Sequence, residues 1–215
     1  MITQSPKACI SMNHLAHFVL AGSDDGLRLG ALLGDHVKGR QALASLPSPW
    51  VRGVLLHRRI DAWSDQHPAV RAFLSELAPP WRRYGGVIVD VLFDYMLSRH
   101  WARFGPAPIE QYARSIDALL ARHGPDLPPR LASFAAWARE HRLWQRYQDR
   151  DMLQQIFSGL ARRHARKSPL ASGLDLLDRH EARLEAVFLS LFPDLQARVR
   201  SWPDPSIKHV EHVGN

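Results

Sequence analysis

Three segments of the chain place metal-ligating side chains at helical spacing. In GVLLHRRIDAWSD (53–65), His57, Asp61 and Asp65 recur every fourth residue. Positions four apart on an α-helix differ by only about 40° around its axis, so these residues form one drifting stripe and His57 and Asp61 can share a ligand. In GGVIVDVLFDYMLSRHW (85–101), Asp90 and Asp94 stand four apart inside an almost wholly apolar stretch. Unpaired carboxylates in such a setting are costly, so a cation must face them: the guanidinium of Arg58 or Arg59, or a metal ion. In LLGDHVKGR (32–40), Asp35 closes an apolar turn and Gly39 lets the chain leave it, which can turn Asp35 back toward the other carboxylates.

A buried Asp–Arg network would account for Asp90 and Asp94 but not for His57, a neutral imidazole at ligand spacing. Several aspartates with one or two imidazoles suit Mn²⁺, with Mg²⁺ or Fe²⁺ as alternatives, better than a thiolate-seeking ion. His17 in MNHLAH and His100 after the Asp90–Asp94 segment are further imidazoles. If Asp90 and Asp94 repel each other, Asp94→Ala relieves strain and raises the melting temperature of the metal-free protein. The chain has no E-x-x-H pair, phosphate-binding G-x-x-x-x-G-K-[ST] loop, dinucleotide fingerprint or G-x-S-x-G elbow. Di-iron oxygenase, nucleotide triphosphatase, Rossmann and serine-hydrolase chemistries therefore lack support.

The elements that must position these residues read as helices throughout, because apolar residues recur at spacings of three and four and alternating strands bounded by hairpin turns are absent. The pattern predicts an all-α, single-domain helical bundle with helices over about 13–21, 24–37, 49–64, 67–77, 81–102, 107–122, 129–140, 142–164 and 174–200. Ser23, Asp24 and Asp25 supply caps for the second helix. Pro49, Pro68 and Pro80 fall near first-turn positions, where a missing N–H costs nothing. Residues 1–11 are expected to be a disordered extension, 12–202 the helical domain, and 203–215 a frayed tail. Met12 is a second candidate start.

With Cys9 as the only cysteine, a disulfide framework and a multi-cysteine zinc site are excluded within one chain, which favours a reducing, cytoplasmic setting. No apolar run approaches a membrane span, and the N-terminal segment is unlike a secretory signal. The net charge of +7 suggests an acidic partner. Arg162, Arg163, Arg166 and Lys167 form a dense basic stretch suited to docking one. Trp63, Trp137 and Trp144 are assigned to the core.

Taken together, MNHLAH (12–17), LLGDHVKG (32–39), HRRID (57–61) with Asp65, and DVLFDYMLSRHW (90–101) resemble the motif series of the acyl carrier protein phosphodiesterase family, and GLARRHAR (159–166) resembles its later arginine-bearing segment. The resemblance implies a Mn²⁺-dependent hydrolase that removes 4′-phosphopantetheine from holo acyl carrier protein, an acidic substrate. It also implies a fold like that of the all-helical HD phosphohydrolases, although HRRID separates His57 from Asp61 by a helical turn where a strict HD motif has them adjacent. Carried over by motif, His17, Asp35, His57, Arg58, Arg59, Asp61, Asp65, Asp90, Asp94, His100 and Trp101 fall on matching positions. The motif commonly has an aromatic residue where His14 stands, and His14 receives no role.

The two readings converge on one expected mechanism. Asp35, His57, Asp61, Asp90 and Asp94 hold a metal that activates water. Arg58 or Arg59 neutralises the phosphodiester, and His17 or His100 protonates the leaving serine. Neither a nucleic-acid nor a membrane partner is expected. The alternatives are an HD-type hydrolase of a nucleotide or other small phosphorylated metabolite, and a non-enzymatic basic helical module in which Arg58 and Arg59 pair with Asp90 and Asp94.

Overall fold

The computed structural model describes residues 14–163 and 168–203. The expected extension 1–11, the start at Met12, Arg166, Lys167 and all but the first residue of the tail 203–215 lie outside the described residues. Among those described there are twelve α-helices, three short 3₁₀ turns and no strand. No helix among them is long and apolar enough to cross a membrane.

The chain runs through α1 (His14–Leu20), α2 (Asp25–Leu33), α3 (Gly39–Ala44), α4 (Ser48–Gln66), α5 (Pro68–Glu76), α6 (Gly85–Arg99) and α7 (Trp101–Phe104). It continues through α8 (Ile109–His123), α9 (Pro129–Glu140), α10 (Leu143–Arg146), α11 (Arg150–Arg163) and α12 (Gly173–Ser201). The local signals act where the residue types require. Asp24 Oδ1 accepts from the Leu27 amide at 2.8 Å and caps α2. Pro49 and Pro68 occupy the first turns of α4 and α5.

Three predicted helices are divided. The segment 81–102 is split into a 3₁₀ turn at Trp81–Arg83, α6 and α7. The segment 24–37 ends its first helix at Leu33, and Gly39, with φ of 83°, starts α3. The segment 142–164 breaks after α10, where Asp149 accepts from Arg146 Nε at 2.8 Å and its carbonyl from the Leu153 amide at 3.1 Å, starting α11. A turn-forming aspartate there outweighs the continuing apolar period.

α6 is the central element. Its Ile88, Val91, Leu92, Met96 and Leu97 are fully buried, and it packs against α1, α11 and α12. Each such side chain contributes roughly 1.5–3 kcal/mol by leaving water. α2 lies along α4, and glycines set how closely they meet. A Cβ on Gly30 would stand 2.6 Å from Gly53 Cα, and one on Gly53 would stand 2.3 Å from the Leu27 carbonyl oxygen. Backbone therefore rests on backbone, and α4 presents His57 directly beneath the end of α2.

Candidate active site

α1 has seven residues, too few to persist as a helix unaided. Its first turn is fixed from outside: the amides of Leu15 and Ala16 donate to Asp94 Oδ2 and Oδ1 at 2.9 and 2.8 Å. Asp94 is fully buried and is also bonded to the Tyr147 hydroxyl. Burial pushes its carboxyl up to about 8, against the lowering effect of the three donors. Asp94 thus acts as an N-terminal cap supplied by α6. The sequence groups Asp94 with the ligands and predicts a gain in stability on its removal; here its two oxygens hold α1 in place, which favours a positioning role.

So held, α1 carries His17 to α4. The His17 and His57 rings stack with centroids 4.0 Å apart and 16° between planes. Asp61 bridges them: His17 Nε2 donates to Oδ1 at 3.0 Å, and His57 Nε2 lies 3.0 Å from Oδ2. His57 Nε2 is also 3.5 Å from Asp35 Oδ1. Both imidazoles are buried, whereas the Asp61 side chain is 28% exposed and marks the open side. Gly34 makes room for the arrangement, since a Cβ there would sit 2.2 Å from the His57 ring.

The charge balance of the cluster is set by burial and by its two carboxylates. Burial opposes a charged His57 ring, yet the Asp35 and Asp61 carboxylates outweigh it and push His57 up to about 10. Burial lowers His17, helped by the His57 charge, so one of the stacked rings is neutral. Asp61 and Asp35 remain ionised: burial raises each, but His17 and His57 overcome it for Asp61, and chiefly His57 for Asp35. Asp90, partly exposed on α6, is pushed well up by burial and then by Asp61, Asp65, Asp35 and Asp94.

The donor set fits a divalent ion. His17, His57 and Asp61 offer ligand atoms all within 4.8 Å of one another. His57 Nε2 and Asp35 Oδ2 are buried without an aligned hydrogen bond to described residues. Convergent nitrogen and oxygen donors of this kind could hold a metal ion.

The other expected site residues are not among the three whose ligand atoms converge. Arg58 donates to the Val37 carbonyl at 2.7 Å, and Arg59 lies 4.5 Å over the Trp202 ring. Among the described residues neither pairs with Asp90 or Asp94, so the proposed Asp–Arg network is not formed. His100 bonds Glu185 at 2.7 Å and stacks on Phe188; ten residues beyond Asp90, it is about 15 Å farther along the helix line. Trp101 Nε1 donates to the Ala107 carbonyl at 2.8 Å. Asp65 is exposed one turn past Asp61.

Arg162 and Arg163 are exposed at the end of α11 and line a cleft of about 540 Å³ between α9 and α11. Trp144 is fully buried as expected, whereas Trp137 is half-buried and lines that cleft. Two residues were passed over. His14 packs its ring 5.0 Å from Phe134, and burial drives its imidazole down to about 3. His36 neighbours Asp35 and senses Arg130 and Arg163. The i, i+3 spacing of His14 and His17 is the signal that could have found the first.

A family profile described as acyl carrier protein phosphodiesterase matches residues 12–195. An acyl carrier protein phosphodiesterase of Enterobacter sp. (strain 638) is 34% identical over 191 residues, covering 88% of this chain and 98% of that protein. One of Klebsiella pneumoniae (strain 342) is 32% identical over 185 residues, covering 86% and 95%, and one of Salmonella enteritidis PT4 is 34% identical over 188, covering 87% and 97%. No solved structure gives a significant match. With motif order, profile and relatives in agreement across the described helices, the chain belongs to the acyl carrier protein phosphodiesterase family.

Proposed function

We propose that this protein hydrolyses the phosphodiester joining 4′-phosphopantetheine to a serine of holo acyl carrier protein, giving apo carrier and 4′-phosphopantetheine. The observation that carries this reading is the convergence of His17, His57 and Asp61 on one spot, in a chain whose relatives bear the name of that activity. His17, His57 and Asp61 would hold a divalent cation, with Asp35 and Asp90 beside them. Mn²⁺ is the expected ion, and Mg²⁺ or Fe²⁺ suits the same donors. When bound, it supplies Lewis acidity at the phosphoryl oxygens and makes water a nucleophile near neutral pH.

The chain's own residues do the rest. Asp35, ionised and with Oδ2 unpartnered among the described residues, accepts the proton of the attacking water. Arg58, anchored through one N–H to Val37, turns its remaining donors to the phosphodiester charge. Arg162 and Arg163, exposed at the end of α11, supply a positive field that draws an acidic carrier. The pairing of His57 and Asp61 beside Asp90 supports kinship with the HD phosphohydrolases, and a lone cysteine supports a cytoplasmic setting.

Mass spectrometry of holo carrier protein incubated with the enzyme and Mn²⁺ tests the reading. The carrier should lose about 340 Da, the mass of the arm with its phosphate, when water attacks phosphorus. In ¹⁸O water the label should enter the released phosphate and not the serine. A carrier mass that never changes while nucleotides are hydrolysed would assign the site to small phosphorylated metabolites instead.

A further inference from the structure

The cleft between α9 and α11 reaches α1 through Phe134, whose ring meets His14, and nothing in the reaction itself explains its lining. Its α9 wall is aromatic: Phe134 and Trp137 stack at 6.3 Å, and Trp137 stacks in turn on His141 at 4.9 Å. Phe134 meets His14, three residues before His17, so the row begins about one helical turn from the cluster. The α11 wall is polar, and the Gln155 side chain is exposed with no hydrogen bond to a described residue. Arg130 on α9 and Arg163 on α11 add two guanidinium groups to the lining.

Gly159 gives the second observation. It sits within α11, where glycine costs roughly 1 kcal/mol relative to alanine. Packing does not demand it: the nearest atom a Cβ would meet is Arg162 Nη2, at an undemanding 3.8 Å. A side chain there would instead project into the cleft that Gly159 lines. The glycine keeps that volume open.

We infer that this cleft is the subsite for the pantetheine arm of the substrate, with the arm laid along Phe134 and Trp137, its amides facing Gln155, and its phosphate end between the cluster and the Arg130–Arg163 pair. The assignment rests on the carrier-protein reading above. The chemistry of the two partners corresponds. The arm carries a gem-dimethyl group, which aromatic faces cover, and two amides, which a carboxamide side chain can bond. At about 540 Å³ the cleft lies in the range of pockets that enclose a flexible small molecule.

Gly159→Leu tests the inference, because it fills the cleft while removing a helix-weakening residue. Pantetheine, which lacks the phosphate, is titrated calorimetrically into the metal-free wild type and variant. Hydrolysis is measured in parallel on holo carrier protein and on bis(p-nitrophenyl) phosphate, a diester without the arm. Gly159→Leu should weaken pantetheine binding at least about tenfold and lower the ratio of kcat/KM for carrier to that for the small diester by a similar factor. Gln155→Ala should move both readouts the same way by about threefold, and serves if the leucine variant does not fold.

Equal pantetheine affinity in wild type and variants, or no pantetheine binding to the wild type, would overturn the inference. So would variants that lose only affinity for apo carrier protein, which would make the cleft a protein-docking groove. If the wild type leaves holo carrier intact, the reaction assigned above fails, and the pantetheine titration still decides the subsite.

Discussion

The His17 and His57 rings lie face to face at 4.0 Å with both Nε2 atoms turned to the two oxygens of Asp61. Two imidazoles and a carboxylate from two helices are thus gathered at one point, and the metal-free protein keeps them together by sharing a proton. An added cation must displace it.

Mn²⁺ binding at pH 7.5 should therefore release about one proton, from His57, whose ring is held up at about 10 before the ion arrives. Calorimetry in buffers of differing ionisation heat reads this number directly. Asp61→Asn should weaken Mn²⁺ by roughly 100-fold or more, and excess chelator should stop carrier hydrolysis until Mn²⁺ is returned. A proton count of zero would remove His57 from the ligand set.

Without metal, stability should fall as pH rises. Asp94 is held at about 8 in the folded chain, above its unfolded value near about 3.9, so between these values the native state binds more protons. His57, held at about 10 against about 6.5 unfolded, extends the decline to higher pH. Asp61 is lowered, so its contribution is lost only in acid. Calorimetric melting in chelator should drop by several degrees from pH 6 to 9, and Mn²⁺ should reduce or reverse that slope. A flat profile in chelator would contradict the assigned shifts.

Asp94→Ala should lower the melting temperature. It strips two buried amides of their acceptor, a loss of about 2–3 kcal/mol, or roughly 5–10 °C in a chain of this size. Activity should fall with it, because α1 no longer holds His17 against His57. An unchanged or higher melting temperature in the metal-free protein would restore the view of Asp94 as a strained ligand.

Gly34→Ala should act on the site through sterics alone. The added methyl would meet the His57 ring at 2.2 Å, and relief of that overlap should cost about 1–3 kcal/mol and weaken Mn²⁺ binding. In a His57→Ala background the same substitution should cost much less, a coupling that denaturant unfolding of the four proteins measures. Equal costs in both backgrounds would place the strain in the backbone instead.

The sequence by itself determined the helical class, the capping aspartate of α2, and the stripe of His57 and Asp61, because each depends on residues within a few positions of one another. It determined the family too, through the order of short motifs. What it left open was which stripes face which. Spacing of four fixes an angle around one helix, and Asp90 and Asp94 share that spacing; yet the packing of α1 against α6 left Asp90 among the carboxylates of the cluster and turned Asp94 into a cap for α1. The same packing brought in His17, three helices away in sequence from His57, and left His100 with Glu185 and Arg59 on Trp202. Only tertiary structure decides such partnerships, since they follow from where one helix crosses another, as for α2 on α4, where backbone meets backbone at Gly30 and Gly53 and the His57 ring lies against Gly34.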